Sequence, residues 1–285
     1  MNEENITFLS EAHLPRNLLC KLSILYVIFE GYDNNKGTLL FDFLHKVPNL
    51  KKLLVSGCYG LTEIFPHEKL QVHDGILVGL ELEHPWVKSL SEKLESLTLN
   101  NCPRLEKLVP CDVSFVNLKE LILTHCKRME YVCTFSTVKS MVQLERLDIQ
   151  GCESMKKVVK EEDENAFDEI IFGRLRELIL ISLQRLECFY MGNATLQFPC
   201  LPLARVAKCP NMKTFSKGII NAPSFLGVVT SKEVWDCQFD DDINTTMERL
   251  FHEQVPNSSV KYNYLLIYNI SLQMGPIHVK ILTGF

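Results

Sequence analysis

The stretch Leu50-Lys-Lys-Leu53-Leu-Val55-Ser-Gly-Cys58-Tyr-Gly-Leu61-Thr-Glu-Ile64 decides how this chain folds. With Leu50 numbered as slot 1, its apolar anchors fall at slots 1, 4, 6, 9, 12 and 15. The same pattern returns as Leu94, Leu97, Leu99, Cys102, Leu105, Leu108 and as Leu118, Leu121, Leu123, Cys126, Met129, Val132. It returns again as Leu144, Leu147, Ile149, Cys152, Met155, Val158 and as Leu175, Leu178, Leu180, Leu183, Leu186, Phe189, and last as Leu201, Ala204, Val206, Cys209, Met212, Phe215. All thirty-six positions are apolar in a chain that is 46% hydrophobic overall, so the repeat is not a product of composition.

Slots 4 and 6 flank one outward residue, the period-two signature of a strand with one buried face. A strand this short has no stability alone, but stacked on its equivalents it becomes one rung of a parallel sheet with a continuous apolar column beneath it. At slot 9 the chain leaves the strand. Cysteine is small, readily buried and carries a weak S–H donor, so Cys58, Cys102, Cys126, Cys152 and Cys209 suit a packed turn. Slots 12 and 15 continue at period three, which predicts a 3₁₀ or irregular segment behind the sheet rather than a long helix. Slots 4, 6 and 9 share no helical face, which argues against amphipathic helices.

The copies begin at 50, 94, 118, 144, 175 and 201. The long first interval predicts a damaged copy over residues 70–93, with Leu77, Leu80 and Leu82 as its remnant. The interval from 144 to 175 holds an acidic insertion, residues 160–165. Upstream, Leu19, Leu22, Ile24 and Val27 fit the first four slots of a degenerate opening repeat. The division expected is a degenerate N-terminal repeat or cap over 1–45, an array over 46–217, a C-terminal cap over 218–255 and a divergent tail over 256–285. Asp240-Asp-Asp242 with Ile243, Met247, Leu250 and Phe251 reads as an acid-capped amphipathic helix at about 241–252 that covers the end of the array.

These spacings and the word L-x-x-L-x-L-x-x-C-x-x-L are those of a leucine-rich repeat. The fold class expected is an α/β-type solenoid, a horseshoe with short parallel strands on its concave face. Words such as Lys46-Val-Pro-Asn-Leu-Lys-Lys-Leu53, Asn101-Cys-Pro-Arg-Leu-Glu-Lys-Leu108, Arg128-Met-Glu-Tyr131, Ile170-Ile-Phe-Gly-Arg-Leu175 and Cys209-Pro-Asn-Met-Lys-Thr-Phe215 resemble the C-terminal repeats of plant disease-resistance receptors of the coiled-coil nucleotide-binding type. The resemblance runs over about residues 14–255. It implies a cytosolic module that recognises a pathogen effector or a host protein, or that contacts a nucleotide-binding receptor domain. No G-x-x-x-x-G-K-[ST] occurs, so no phosphate cradle can be assigned, and the chain reads as a fragment or truncated receptor. Leucine-rich substrate adaptors of F-box ubiquitin ligases are the alternative, and Leu14-Pro-Arg-Asn-Leu-Leu19 faintly resembles the start of an F-box.

Composition narrows the function further. A net charge of −5 leaves no footprint for nucleic acid or an anionic membrane, and no apolar run is long enough to span a bilayer. The acidic start of the chain lacks the basic run of a signal peptide, which reads as cytoplasmic. Eleven cysteines with no Cys-x-x-Cys pair suit reduced thiols rather than a disulfide framework. Five glycosylation triplets, at Asn5, Asn193, Asn244, Asn257 and Asn269, then go unused. No metal-ligand spacing, nucleophile elbow or His-Glu-x-x-His motif appears, so no catalytic residue, metal or cofactor is assigned. The residues expected on the concave face are Lys52, Leu54, Ser96, Thr98, Glu120, Ile122, Arg146, Asp148, Arg176, Ile179 and Ile181. Arg146 and Arg176 stand out among them as anchors by residue type. The acidic stretch 161–164, with Asp168 and Glu169, reads as a solvated loop.

Overall fold

A computed structural model describes residues 19–29, 40, 43–65, 72–73, 76–77, 85–108, 113–162, 168–230, 237–238 and 242–253. Strands β1 (Ile24–Ile28) and β2 (Lys52–Ser56) are followed by the hairpin β3 (Val72–His73) and β4 (Ile76–Leu77) and by helix α1 (Pro85–Lys93). Next come β5 (Ser96–Asn100), β6 (Glu120–Thr124), β7 (Cys133–Thr134), helix α2 (Phe135–Lys139) and β8 (Arg146–Gln150). The chain continues through β9 (Lys157–Lys160), β10 (Glu169–Ile171), β11 (Glu177–Ile181), β12 (Cys188–Tyr190), β13 (Thr195–Gln197) and β14 (Leu203–Ala207). It closes with β15 (Ile220–Asn221), β16 (Gly227–Val229), β17 (Cys237–Gln238) and helix α3 (Ile243–Glu253).

The fold is a leucine-rich-repeat solenoid. Its main sheet has the order β1-β2-β5-β6-β8-β11-β14-β16-β17, parallel except for the last pair. Leu53, Leu97, Leu121, Leu147 and Leu178 are cross-strand partners at one height, and so are Val55, Leu99, Leu123, Ile149 and Leu180. All ten are buried in one continuous core. Fully burying a side chain of this size contributes about 1.5–3 kcal/mol, but only the next rung supplies the surface that buries it. Two turns per repeat explain the period-three slots. The slot 12 N–H donates to the slot 9 carbonyl, as Met129 does to Cys126 and Met155 to Cys152. The slot 1 N–H donates to the carbonyl three residues earlier, as Leu144 does to Met141 and Leu175 to Phe172.

Behind the main sheet the described chain is mostly turns and irregular segments, interrupted by short strands. Two narrower sheets run beside the main one, β7-β9-β12 and β10-β13-β15, and both pair in parallel. Phe172 stacks on Phe198 at 4.9 Å, and Phe189 on Phe215 at 4.7 Å. The two stacks meet edge to face. These rings fill the space between the sheets in the last turns, where the fifth and sixth copies carry aromatic residues at slot 15.

Two details of the sequence reading are corrected. The opening rung carries Leu22, Leu25 and Val27 at slots 1, 4 and 6, because Leu25 pairs with Leu53 and Val27 with Val55. Leu19, Leu22 and Ile24 satisfy the same spacing three residues earlier, and Val27 at slot 9 favoured that register. The pairing with β2 selects the other one. Residues 70–93 add no rung, since β2 pairs directly with β5. Leu77 lies in the hairpin, and α1 begins at Pro85, where a missing N–H and a fixed φ suit a first helical turn. Leu80 and Leu82 lie outside the described residues, as do Asp240, Asp241 and the tail 256–285. A further parallel rung follows the six quoted copies, β16 on β14.

At the far end, α3 packs against β16. The Asp242 carboxylate accepts the Thr245 N–H at 2.9 Å, which caps the helix. Asn244 does what a following strand would do. Its Oδ1 accepts the N–H groups of Phe215 and Ser216 at 2.9 and 3.0 Å, and its Nδ2 donates to the Ser216 carbonyl at 2.9 Å.

The aromatic cluster yields a stability prediction. Phe198→Ala removes a fully buried ring that touches three others. It should cost about 3–5 kcal/mol, read as a lower urea midpoint by circular dichroism.

Candidate protein-binding face

The outward residues of each rung stand at slots 3, 5 and 7, and the pairing register lines them up in columns. Slot 3 runs Lys52, Ser96, Glu120, Arg146, Glu177, Leu203. Slot 5 runs Leu54, Thr98, Ile122, Asp148, Ile179, Arg205, and slot 7 runs Ser56, Asn100, Thr124, Gln150, Ile181, Ala207. Ten of the eleven residues proposed from sequence therefore share this face. Arg176, the eleventh, is exposed and precedes β11 by one residue. Leu54, Ile122, Ile179 and Ile181 are half-buried, so each offers part of an aliphatic surface. Tyr26 and Ile28 extend the face over β1 with exposures of 38% and 46%. The shifted register of the opening repeat concealed these two.

Two of the proposed residues are already engaged. Asp148 is only 3% exposed. It accepts Arg146 Nη2 at 2.8 Å and Gln150 Nε2 at 2.8 Å, from the outward neighbours on its own strand. Arg146 Nη1 also reaches Glu177 at 3.2 Å on the next rung. The Asp148 hydrogen bond, with Asp148, Glu177 and Glu120 close by, raises the guanidinium pKa further. Arg146 is thus the centre of an internal network and not a free anchor.

The edge of the face where strands begin carries an alternating charge ladder at slot 2: Lys51, Glu95, Lys119, Glu145, Arg176. Glu95 bridges Lys51 at 2.9 Å and Lys119 at 2.8 Å. The Lys119 and Lys51 ammonium groups pull the Glu95 pKa from its ordinary 4.5 to about 2. At the opposite edge, slot 8 holds positive φ in every full copy: Gly57 at 72°, Asn101 at 52°, His125 at 56°, Gly151 at 64°, Ser182 and Lys208 at 56°. This conformation aims the slot 8 N–H along the solenoid at the next rung's slot 7 carbonyl. Asn101 donates to Thr124 at 2.7 Å and His125 to Gln150 at 2.8 Å. The sequence hint was a Gly or Asn at that slot in three copies, diluted by His, Ser and Lys. At Gly57 a Cβ would also stand 2.5 Å from the Phe29 carbonyl oxygen.

The slot 9 thiols of Cys102, Cys126, Cys152 and Cys209 are directed at backbone carbonyls. Cys152 Sγ donates toward the Gln150 and Leu123 carbonyls, and Cys209 toward those of Ala207 and Leu180, at 3.5–3.9 Å. Each thiol thereby serves its own turn and the preceding rung. Burial pushes Cys102 well above the ordinary thiol range, Cys133 up to about 12, and Cys188 and Cys209 to about 11. Cys126 is raised as well, first by its hydrogen bond with Cys152 and then by burial. Among the described residues no group of three His, Cys, Asp or Glu side chains is placed to hold a metal ion.

The described ends of the acidic insertion are hydrogen-bonded to neighbouring turns while staying solvent-accessible, Glu162 exposed and Glu161 and Asp168 partly so. Glu161 accepts the Met191 N–H at 3.0 Å and pairs with Lys157. Glu162 accepts the N–H and hydroxyl of Ser136 at 2.8 and 2.9 Å, and Asp168 meets Lys139 at 2.6 Å. For Glu161 and Glu162 burial acts to raise the pKa, but these donors win and both carboxyls lie below their usual range. Residues 163–167 lie outside the described set.

The comparisons with known proteins agree with this architecture. Residues 94–218 match the family described as plant disease resistance protein RPS2-like, leucine-rich repeats. Over 150 residues the chain is 27% identical to the probable disease resistance protein At1g61190 of Arabidopsis thaliana, a match covering 52% of this chain and 15% of that protein. The chain thus aligns with a small part of the curated relative's length. The class defined by fold and face is a leucine-rich-repeat solenoid. More particularly, residues 94–218 are similar to the leucine-rich repeats of plant disease resistance proteins of the RPS2-like kind. Among the described residues no helix is long and apolar enough to cross a membrane.

Two measurements check this description. Alkylation of the native protein, followed by mass spectrometry, should mark exposed Cys20 and Cys200 quickly and the buried Cys102, Cys126, Cys152 and Cys209 only after unfolding. The second concerns the charge ladder. The Glu95 pKa is lower folded than unfolded, so its ion pairs stabilise the fold fully above pH 4.5 and fade as pH falls toward 2. Glu95→Gln should therefore cost up to about 1 kcal/mol at pH 7, and less at pH 3, in urea titrations.

Proposed function

We propose that this array is a non-catalytic, protein-binding module of plant defence, acting in the cytoplasm and recognising a pathogen effector or a host protein on the outward face of its main sheet. One observation carries the reading. Leu54, Ile122, Ile179 and Ile181 are brought by strand register onto one face and left half-exposed there, beside slots that carry hydroxyls and amides. A solvated sheet has no need of four aliphatic residues in those columns, whereas a protein interface is built from such a mixture. The likeness of residues 94–218 to plant disease-resistance repeats supports the biological setting. Solenoids of this class use the strand face as their extended binding surface. The unbridged thiols of the array suit a reducing compartment. Buried and held protonated, they suit packing better than nucleophilic work.

The test is affinity capture from plant extract with partners identified by mass spectrometry. Leu54→Glu/Ile122→Glu should lose the specific partners of the wild type while keeping its circular dichroism spectrum. Val142→Glu, placed at an exposed site off this face, should keep them. Equal capture by both variants would remove the strand face from recognition.

A further inference from the structure

The strand face holds Arg146 and Arg205, with Arg176 at its edge, and the three are not equivalent. Arg146 is consumed by Asp148 and Glu177. Arg176 and Arg205 are exposed, and neither has an ion pair or side-chain hydrogen bond among the described residues. Elsewhere on the face most charge is cancelled internally: Lys51 and Lys119 share Glu95, and Arg146 neutralises the buried Asp148, with exposed Lys52 the exception. The unmatched positive charge of the arginines is therefore concentrated at the rungs β11 and β14.

Aliphatic surface flanks Arg205 on the neighbouring rung and farther along the strands. Arg205 is the cross-strand partner of Ile179, and Leu203 that of Glu177. Ile181 and Ala207 continue the surface two residues along. Arg176 lies three residues before Ile179, so the two arginines are separated by about 10 Å along the strand direction and one rung across it. The acidic groups nearby are Glu145, Glu177 and the buried Asp148, which is the cross-strand partner of Ile179 and is neutralised by Arg146, while Arg174 precedes Arg176 by two residues and Lys208 follows Ala207. Glu177 is turned to Arg146, and Glu145 lies beside Lys119, whose pKa it helps raise.

We infer that the β11–β14 end of the strand face receives an acidic, extended segment of a protein partner, with carboxylates on Arg176 and Arg205 and an aliphatic side chain beside Arg205 on Ile179 and Ile181. The inference rests on the reading of this face as protein-binding and names the chemistry of the segment it takes. Arginine favours this role because its planar fork can meet a carboxylate through two parallel hydrogen bonds. The matching ligand is an extended peptide whose carboxylates stand two to four residues apart, with leucine or isoleucine next to them.

The test uses the full chain and a fluorescein-labelled peptide, Gly-Glu-Leu-Asp-Ile-Glu-Gly, read by fluorescence anisotropy. Its amide counterpart carries Gln and Asn in place of the acids. The acidic peptide should bind and the amide peptide should not. Arg176→Gln and Arg205→Gln should each weaken binding by roughly tenfold, and added salt should weaken it further. Ile179→Ser should weaken it at unchanged charge. Arg185→Gln removes the same charge from an exposed site on the turn after β11 and should leave binding intact. No binding by the wild type, or equal loss in the Arg185 variant, would overturn the inference. If the peptide fails while capture still depends on Leu54 and Ile122, only this segment chemistry falls. If capture is also indifferent to the face, the protein-binding reading falls with it.

Discussion

Backbone hydrogen bonds that run along the solenoid, from one rung to the next, are the constraint on which the rest depends. Each strand is five residues or fewer, too short to be satisfied locally, and each repeat leaves a row of N–H and C=O groups facing its neighbour. The row extends beyond the strand on both sides. At slot 2, Glu95 donates to Lys51, Lys119 to Glu95 and Glu145 to Lys119. At slot 8, the left-handed residues turn their N–H groups toward the next copy. A slip of one residue would break this ladder and carry every leucine to the solvent face at once, so register and core are specified together.

Much of this could be read from the chain alone because the same six slots repeat. A leucine at slot 4 lies between the slot 4 residues of the rungs on either side, and the observed pairing of Leu97, Leu121 and Leu147 follows. What escaped notice had no repeating side chain to announce it. The left-handed slot 8 is a backbone demand met by Gly, Asn, His, Ser or Lys, and only two of those residue types suggest it. The opening rung offers two overlapping leucine registers, which only β2 can decide between. The short strands behind the sheet are two to four residues long, below the length at which a period shows. Cross-rung pairings such as Glu162 with Ser136 join residues 26 apart in sequence, with no local pattern to betray them.

The same distinction applies to the binding face. Which residues point outward is a matter of alternation and is legible. Which of them remain available is not, because that depends on neighbours across the sheet. Arg146 and Arg176 are alike as residue types. One stands between Asp148 and Glu177, while the other has no carboxylate within salt-bridge reach among the described residues. Neutralising a buried carboxylate also fixes the rung beneath it, so Arg146 gives the centre of the face rigidity while its ends keep free charge and exposed aliphatic surface.

Asn244 carries a consequence for how such arrays grow. Its amide fills the hydrogen-bonding line that an additional turn beside Phe215 and Ser216 would need, so the solenoid is plugged at that point. A duplicated unit could enter between existing rungs, where both neighbours offer complementary edges, but not after the plug without evicting it. The triplet Asn244-Thr-Thr246 is likewise closed to a glycan while the helix stays docked, since the nitrogen that would carry the sugar is held against backbone.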